Sequence, residues 1–234
     1  MTTWKKDVVA ATEKAFRNQG NKTKAEGAFA YMKEIAPFLG ISAPDRRRLT
    51  KTEWKKLRTP TSDELGDAAL ALMRLREREY HYAAFDLIDT FIDATDDYFL
   101  AEHVERLLIT TPWWDTVDGL VSAAVSPLCH RYDATEIINH WSDSGNTWLI
   151  RAAIGHQRGW KRDTDINRIF EICDQHWSNQ EFFVAKAIGW ALRDITRIDK
   201  RSVELFLKQH PTKNTVATRE AQRGIDYQTT GPVA

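Results

Sequence analysis

Only two cysteines, Cys129 and Cys173, occur in 234 residues, so no disulfide framework holds this chain together and a reducing compartment suits it. Neither sign of charge is in excess: 33 Lys and Arg stand against 33 Asp and Glu, a formal net charge of zero. A nucleic-acid surface must therefore arise by segregating Arg and Lys onto one face. No apolar run approaches the roughly 20 residues that a membrane helix needs. The first residues, Met1-Thr2-Thr3-Trp4-Lys5-Lys6-Asp7, lack the apolar core of a signal peptide, and the expected location is the cytoplasm. The seven histidines form no His-x-x-x-His pattern, and Cys129-His130 stands alone, so no metal site is expected. No Gly-rich phosphate loop and no Gly-x-Ser-x-Gly elbow occurs, which leaves no cofactor expected and no support for those chemistries.

What is present is helical period almost throughout, in a chain with the 42% apolar and 28% charged residues of a soluble globular protein. A first amphipathic helix is predicted over 3–18, with Trp4, Val8, Ala11 or Ala15 and Phe16 near one face. Gly20-Asn21 breaks it, a second helix covers 25–35, and Pro37-Phe38-Leu39-Gly40 turns the chain. Ser42-Ala43-Pro44-Asp45 is a helix start, with a capping serine, a proline and an acid three residues on. The helix it opens carries Arg46-Arg47-Arg48. This triplet reads either as solvated charge or as phosphate contact, with Arg47 the candidate.

From about residue 63 the chain repeats. Aromatic residues recur at Tyr80, Trp114, Trp148 and Phe182, spaced by 34 each time. Each copy reads as a helical hairpin: 63–75 with 79–92, 97–109 with 113–127, 133–142 with 146–159, 164–177 with 181–196, and 200–209 with 215–226. Polar or proline-bearing breaks separate them, His210-Pro211-Thr212 among them. Helix pairs at such a period predict an all-α fold, an α-solenoid. The Trp-Leu-Gly and Tyr pattern of tetratricopeptide repeats is missing, so HEAT-like hairpins are expected, with second helices lining a concave surface where such a stack binds its partner. One repeat domain is predicted over 1–226, followed by a polar tail over 227–234.

The second helices then supply the candidate site. Pro112-Trp113-Trp114-Asp115-Thr116-Val117-Asp118 opens one, with Pro112 read at its first helical position. Trp114 and Asp118 lie one turn apart on one face, an uncommon pairing for packing, although a half-buried Trp beside an exposed Asp is the plainer alternative. Later second helices offer Arg151, the stripe Lys186, Trp190 and Arg193, and the pair Arg219 and Arg223. Indole and guanidinium groups suit sugar–phosphate chains. Trp148 keeps the repeat's aromatic position and reads as core. Lys186 alone reads more readily as a solvated side chain than as a functional one, and Trp190 reads equally as packing.

Several strings carry a family likeness: Tyr31-Met32-Lys33, Phe38-Leu39-Gly40-Ile41 with Pro44-Asp45-Arg46-Arg47, Trp113 through Asp118, Trp148 through Ile154, and Glu181 through Arg193. Together they resemble the bacterial AlkD-type DNA alkylation repair glycosylases, from about residue 25 to the Thr218-Arg219-Glu220-Ala221 stretch. The resemblance implies HEAT-like repeats and removal of cationic N3- and N7-alkylpurines from double-stranded DNA, without a metal and without flipping the base. It implies Asp118 as catalytic carboxylate, Trp114 and Trp190 against the lesion's deoxyribose, and Arg151 on the backbone nearby. Tyr31, Lys186, Arg193, Arg219 and Arg47 are the further DNA-binding candidates, in a chain expected to act as a monomer. A binding module for damaged DNA or for a protein partner, with the fold but without useful activity, is the other class.

Overall fold

The computed structural model describes residues 3–210 and 214–230, and every regular element among them is helical, with no strand. The all-α class is as the periodicity predicts. The chain divides into two compact units, one running to Ala124 and one starting at Val125. The sequence pattern, which predicts one uninterrupted array, carries no mark of this division.

The first unit holds α1 (Thr3–Phe16), α2 (Lys22–Tyr31), α3 (Ala43–Trp54), α4 (Ser62–Met73), α5 (Arg78–Thr90), α6 (Glu105–Ile109) and α7 (Trp114–Leu120). Helix α1 buries Trp4, Val8, Ala15 and Phe16, the face its sequence offers, together with Thr12. The Thr12 hydroxyl accepts from the buried Trp54 indole at 3.1 Å, which satisfies a polar atom that would otherwise be stranded in the core. Ser42 caps α3 as expected, its hydroxyl accepting from the Asp45 N–H, and Thr61 with Glu64 forms a capping box at the start of α4.

The turn before α3 is held by a side chain from further along. Glu79 of α5 is buried, and its carboxylate accepts from the backbone N–H groups of Leu39, Gly40 and Ile41 at 2.8, 2.7 and 3.1 Å. Gly40 has φ +83°, and a Cβ there would collide with the Asn21 carbonyl, so glycine is required. The Phe38-Leu39-Gly40-Ile41 string is thus a receptor for one carboxylate of α5.

The second unit holds α8 (Ser126–Arg131), α9 (Thr135–Asp143), α10 (Thr147–Ile154), α11 (Ile166–Gln175), α12 (Phe182–Ile195), α13 (Lys200–Gln209) and α14 (Thr215–Thr230). Trp141, Ile154, Ile172, Cys173, Ile188, Leu192 and Val203 are buried in it. Helix α12 packs against α10 and α14. Tyr80, Trp114, Trp148 and Phe182 all fall in the first turn of α5, α7, α10 and α12, so the 34-residue spacing does mark equivalent places in successive hairpins.

Several expected boundaries move, and the second helix covers Lys22–Tyr31 instead of 25–35. Pro112 stands outside α7: Trp113 is its extended N-cap, with φ −156° and ψ 165°. The expected helix 113–127 is helical from Trp114 onward, but it is α-helical only to Leu120, π-helical over Val121–Val125 and α-helical again from Ser126. The expected helix 146–159 stops at Ile154, because Gly155 ends it and His156 donates from Nδ1 to the Ala153 carbonyl at 2.7 Å. Helix α14 runs to Thr230, past the expected end at 226, with Lys200 of α13 donating to the Thr229 hydroxyl at 3.1 Å. Residues 231–234 of the expected tail, Pro211 and Thr212 of the expected break, and Met1 and Thr2 lie outside the described residues.

The turn after α10 contains a group with a pH signature. Burial pulls the His156 imidazole down to about 4, and its Nε2 faces the Gln157 amide at 3.1 Å, so the neutral Nδ1–H form fits the network. Unfolded, the same ring titrates near 6.5, so between the two values the unfolded chain binds the extra proton. The His156 contribution is therefore complete above about pH 6.5 and is lost as pH falls towards 4, a penalty on the order of 3 kcal/mol. Urea unfolding of wild type and His156→Gln across pH 7.5 to 4.5 is expected to show their stability difference shrinking with acid. A constant difference would contradict it.

Candidate functional site

In the first unit the site is built at the start of α7, where a cluster of buried polar groups fixes the backbone. Arg78, at the start of α5, is 1% exposed. Its guanidinium donates to the Asp115 carboxylate through Nη2 at 2.5 Å and Nε at 3.2 Å, to the Thr111 carbonyl at 3.1 Å and to the Thr116 hydroxyl at 3.2 Å. The Tyr82 hydroxyl donates to the same carboxylate. Burial, then the Asp115 charge, push the Tyr82 phenol well above its ordinary range, so it stays a donor. The Thr116 hydroxyl also accepts from the Trp113 N–H at 3.2 Å. Asp115 and Thr116 thus seat the first turn of α7, the turn that carries Trp114.

Trp114 and Asp118 are both half-buried. The plainer alternative, an exposed carboxylate, is not what occurs. The exposed ring of Tyr31, at the end of α2, meets Trp114 edge-on at 6.4 Å between centroids, so two of the expected site residues come together. Gly119, next to Asp118, lies against the Phe85 ring so closely that a Cβ would overlap it. Here α7 approaches α5 at the distance only a glycine allows. Gly119→Ala is expected to lower the melting temperature by several degrees, roughly 1–3 kcal/mol of overpacking, in a thermal scan. An unchanged melting temperature would contradict it.

The Arg46-Arg47-Arg48 triplet is less uniform than either reading of it. Arg46 is buried, ion-paired to Asp86 at 2.7 Å and lying over the Tyr82 ring at 5.0 Å. It is therefore neither solvated nor a phosphate ligand. Arg47 is exposed but shares Asp86 at 3.3 Å, and Arg48 pairs with Asp45 at 3.1 Å.

In the second unit the centre is Trp190 of α12, half-buried, with four cations about its ring. Arg151 and Arg158 lie 5.4 Å from the ring centroid, Lys186 5.7 Å and Arg193 6.0 Å. Arg151 is 3% exposed and donates to the Phe183 carbonyl at 2.7 Å, so it holds α10 to α12 rather than standing out into solvent. Trp148 is half-buried against Phe183, with ring centroids 5.0 Å apart. Arg219 is exposed on α14. Arg158 comes from the turn after α10, which Ser126 anchors by donating to its carbonyl at 2.7 Å.

The residue that sequence reasoning missed is Glu220. It is 1% exposed, and its carboxylate accepts from Lys186 at 2.7 Å, Arg193 at 3.1 Å and Arg223 at 2.6 Å. Burial pushes its pKa up, but the Lys186 hydrogen bond and the charges of Lys186, Arg223 and Arg193 outweigh burial and hold it below the ordinary carboxylate range. The signal was in the period: Glu220 follows Lys186 by 34 residues. Among the described residues no group of three or more His, Cys, Asp or Glu side chains is placed to hold a metal ion, and no helix is long and apolar enough to cross a membrane.

Helical hairpins in an all-α chain, with indole and guanidinium side chains on their second helices, define a class of helical-repeat protein. The comparison with known families gives this class its particular member: the chain belongs to the DNA alkylation repair enzyme family, whose profile matches residues 12–225. A solved structure, a predicted DNA alkylation repair enzyme from Enterococcus faecalis, is similar with a TM-score of 0.75 and 27% identity. The match covers 88% of this chain and 96% of that one. No curated protein matches the sequence.

Proposed function

We propose that this chain is a monofunctional DNA glycosylase that hydrolyses the N-glycosidic bond of cationic N3- and N7-alkylpurines in double-stranded DNA, as the first step of base excision repair. Family membership and the AlkD-type motifs support the reading. The observation that carries it is Asp118, a half-buried carboxylate one turn from the Trp114 indole on a helix whose start is pinned by Arg78.

The chemistry needs little else. An alkylated purine is already positive, so it departs without protonation: the C1′–N bond breaks and its electron pair neutralises the base. The sugar becomes oxocarbenium-like, and a carboxylate beside it stabilises that charge. The water oxygen then adds to C1′, and its proton passes to Asp118 or to solvent. The indole faces of Trp114 and Trp190 add to stabilisation of the cation through their quadrupoles. Tyr31, Lys186, Arg193, Arg219 and Arg47 serve the DNA backbone in this reading. Arg151, buried under Trp190, serves it by placing that indole. The expected state is a monomer, cytoplasmic and nucleoid-associated when on DNA.

The test is release of 7-methylguanine and 3-methyladenine from methylated duplex DNA with EDTA present. Release is the expected result. No release, with damaged duplex still bound, would leave a binding module in its place.

A further inference from the structure

We propose that Glu220 is a positioning residue, which holds Lys186 and Arg193 against the Trp190 indole and sets how much of their charge reaches a DNA phosphate. This rests on the glycosylase reading above and adds to it a residue that decides how duplex DNA is gripped at Trp190.

Lys186 precedes Trp190 by four residues and Arg193 follows it by three, so all three share one face of α12. Two like charges flanking an indole repel each other and, left to themselves, swing out into water on long flexible stems. Glu220 prevents this. Its Oε1 takes Lys186 and Arg223 while its Oε2 takes Arg193, from a side chain that is itself almost wholly buried.

The helices are built close enough for this bridge. Gly189, the residue before Trp190, has no side chain, and a Cβ there would stand 2.6 Å from the Glu220 Cβ and 3.0 Å from the Ala217 Cα. The carboxylate therefore lies directly beside the indole-bearing turn of α12. A Lys head has three donors and an Arg head five, so each keeps donors for phosphate while bonded to Glu220. The carboxylate thus orders the cations before DNA arrives and offsets part of the attraction they exert on any duplex, damaged or not.

Glu220→Gln keeps the shape and removes the charge. Undamaged duplex is expected to bind about threefold to tenfold more tightly near 0.1 M salt, with a log K against log salt slope steeper by roughly one phosphate contact. Single-turnover excision is expected to fall about tenfold, because the cations no longer frame Trp190. A merely structural role would lower binding and excision together. A folded Glu220→Gln protein with the wild-type slope would overturn the proposal.

Glu220→Asp, which keeps the charge but shortens the arm, decides the matter if the glutamine variant does not fold. Severalfold weaker excision at an unchanged salt slope is expected, and unchanged excision would overturn the idea. A wild type that binds duplex but excises nothing sinks the glycosylase reading alone and leaves the salt slopes to decide the role of Glu220. A wild type that binds no duplex overturns both.

Discussion

Asp118→Asn is expected to cut single-turnover release of 7-methylguanine from methylated duplex by about a hundredfold to a thousandfold, the usual effect of removing one preorganised electrostatic group. Binding to the same DNA is expected to hold or improve, because a negative charge leaves the surface proposed to meet DNA. Asn matches Asp in size and sits at a half-buried position on α7, so the melting temperature should scarcely move. The effect must fall on the chemical step, where positive charge develops on the sugar, rather than on affinity. Excision at the wild-type rate would remove Asp118 from the mechanism.

Arg78→Met is expected to cost about 3–5 kcal/mol of unfolding free energy in urea, the range for stripping one partner from a buried ion pair. The substitution leaves the half-buried Asp115 carboxylate with the Tyr82 hydroxyl of α5 as a donor and removes the guanidinium donor from the Thr111 carbonyl. Arg78→Met with Asp115→Leu should recover much of the loss, because both charges are then gone. The first turn of α7 is hung on this cluster, so excision by the single variant should fall as well. A single variant as stable as wild type would show the cluster to be dispensable.

The hairpins were legible because helix period and a recurring aromatic are local signals, and Tyr80, Trp114, Trp148 and Phe182 all mark first turns. Helix ends were less so. Pro112 suits a first helical position, but the chain stays extended through Trp113, where the Thr116 hydroxyl meets the backbone N–H. Gly155 inside a helical pattern gave no sign that His156 would turn back on the Ala153 carbonyl. The candidate residues were legible by type but not by partner. Arg46 and Arg47 read alike in the sequence, yet one is buried over Tyr82 and the other exposed although both reach Asp86, because adjacent positions on a helix point in different directions. Arg151, Lys186 and Arg193 read as groups for DNA, and their protein partners, the Phe183 carbonyl and Glu220, are 32, 34 and 27 residues away. Pairings at that range are set by which helices pack, which no local pattern records.

The Glu79 carboxylate has one more implication. Three successive backbone N–H groups converging on one anion form the kind of nest that grips phosphate in nucleotide-binding loops. Here the chain has plugged its own nest: residues 39–41 close on a side chain that is permanently tethered. A tethered guest with a high effective concentration occupies the three donors, so a free phosphate must displace Glu79 to use this loop. Whatever hold this turn has on a phosphodiester must come from side chains.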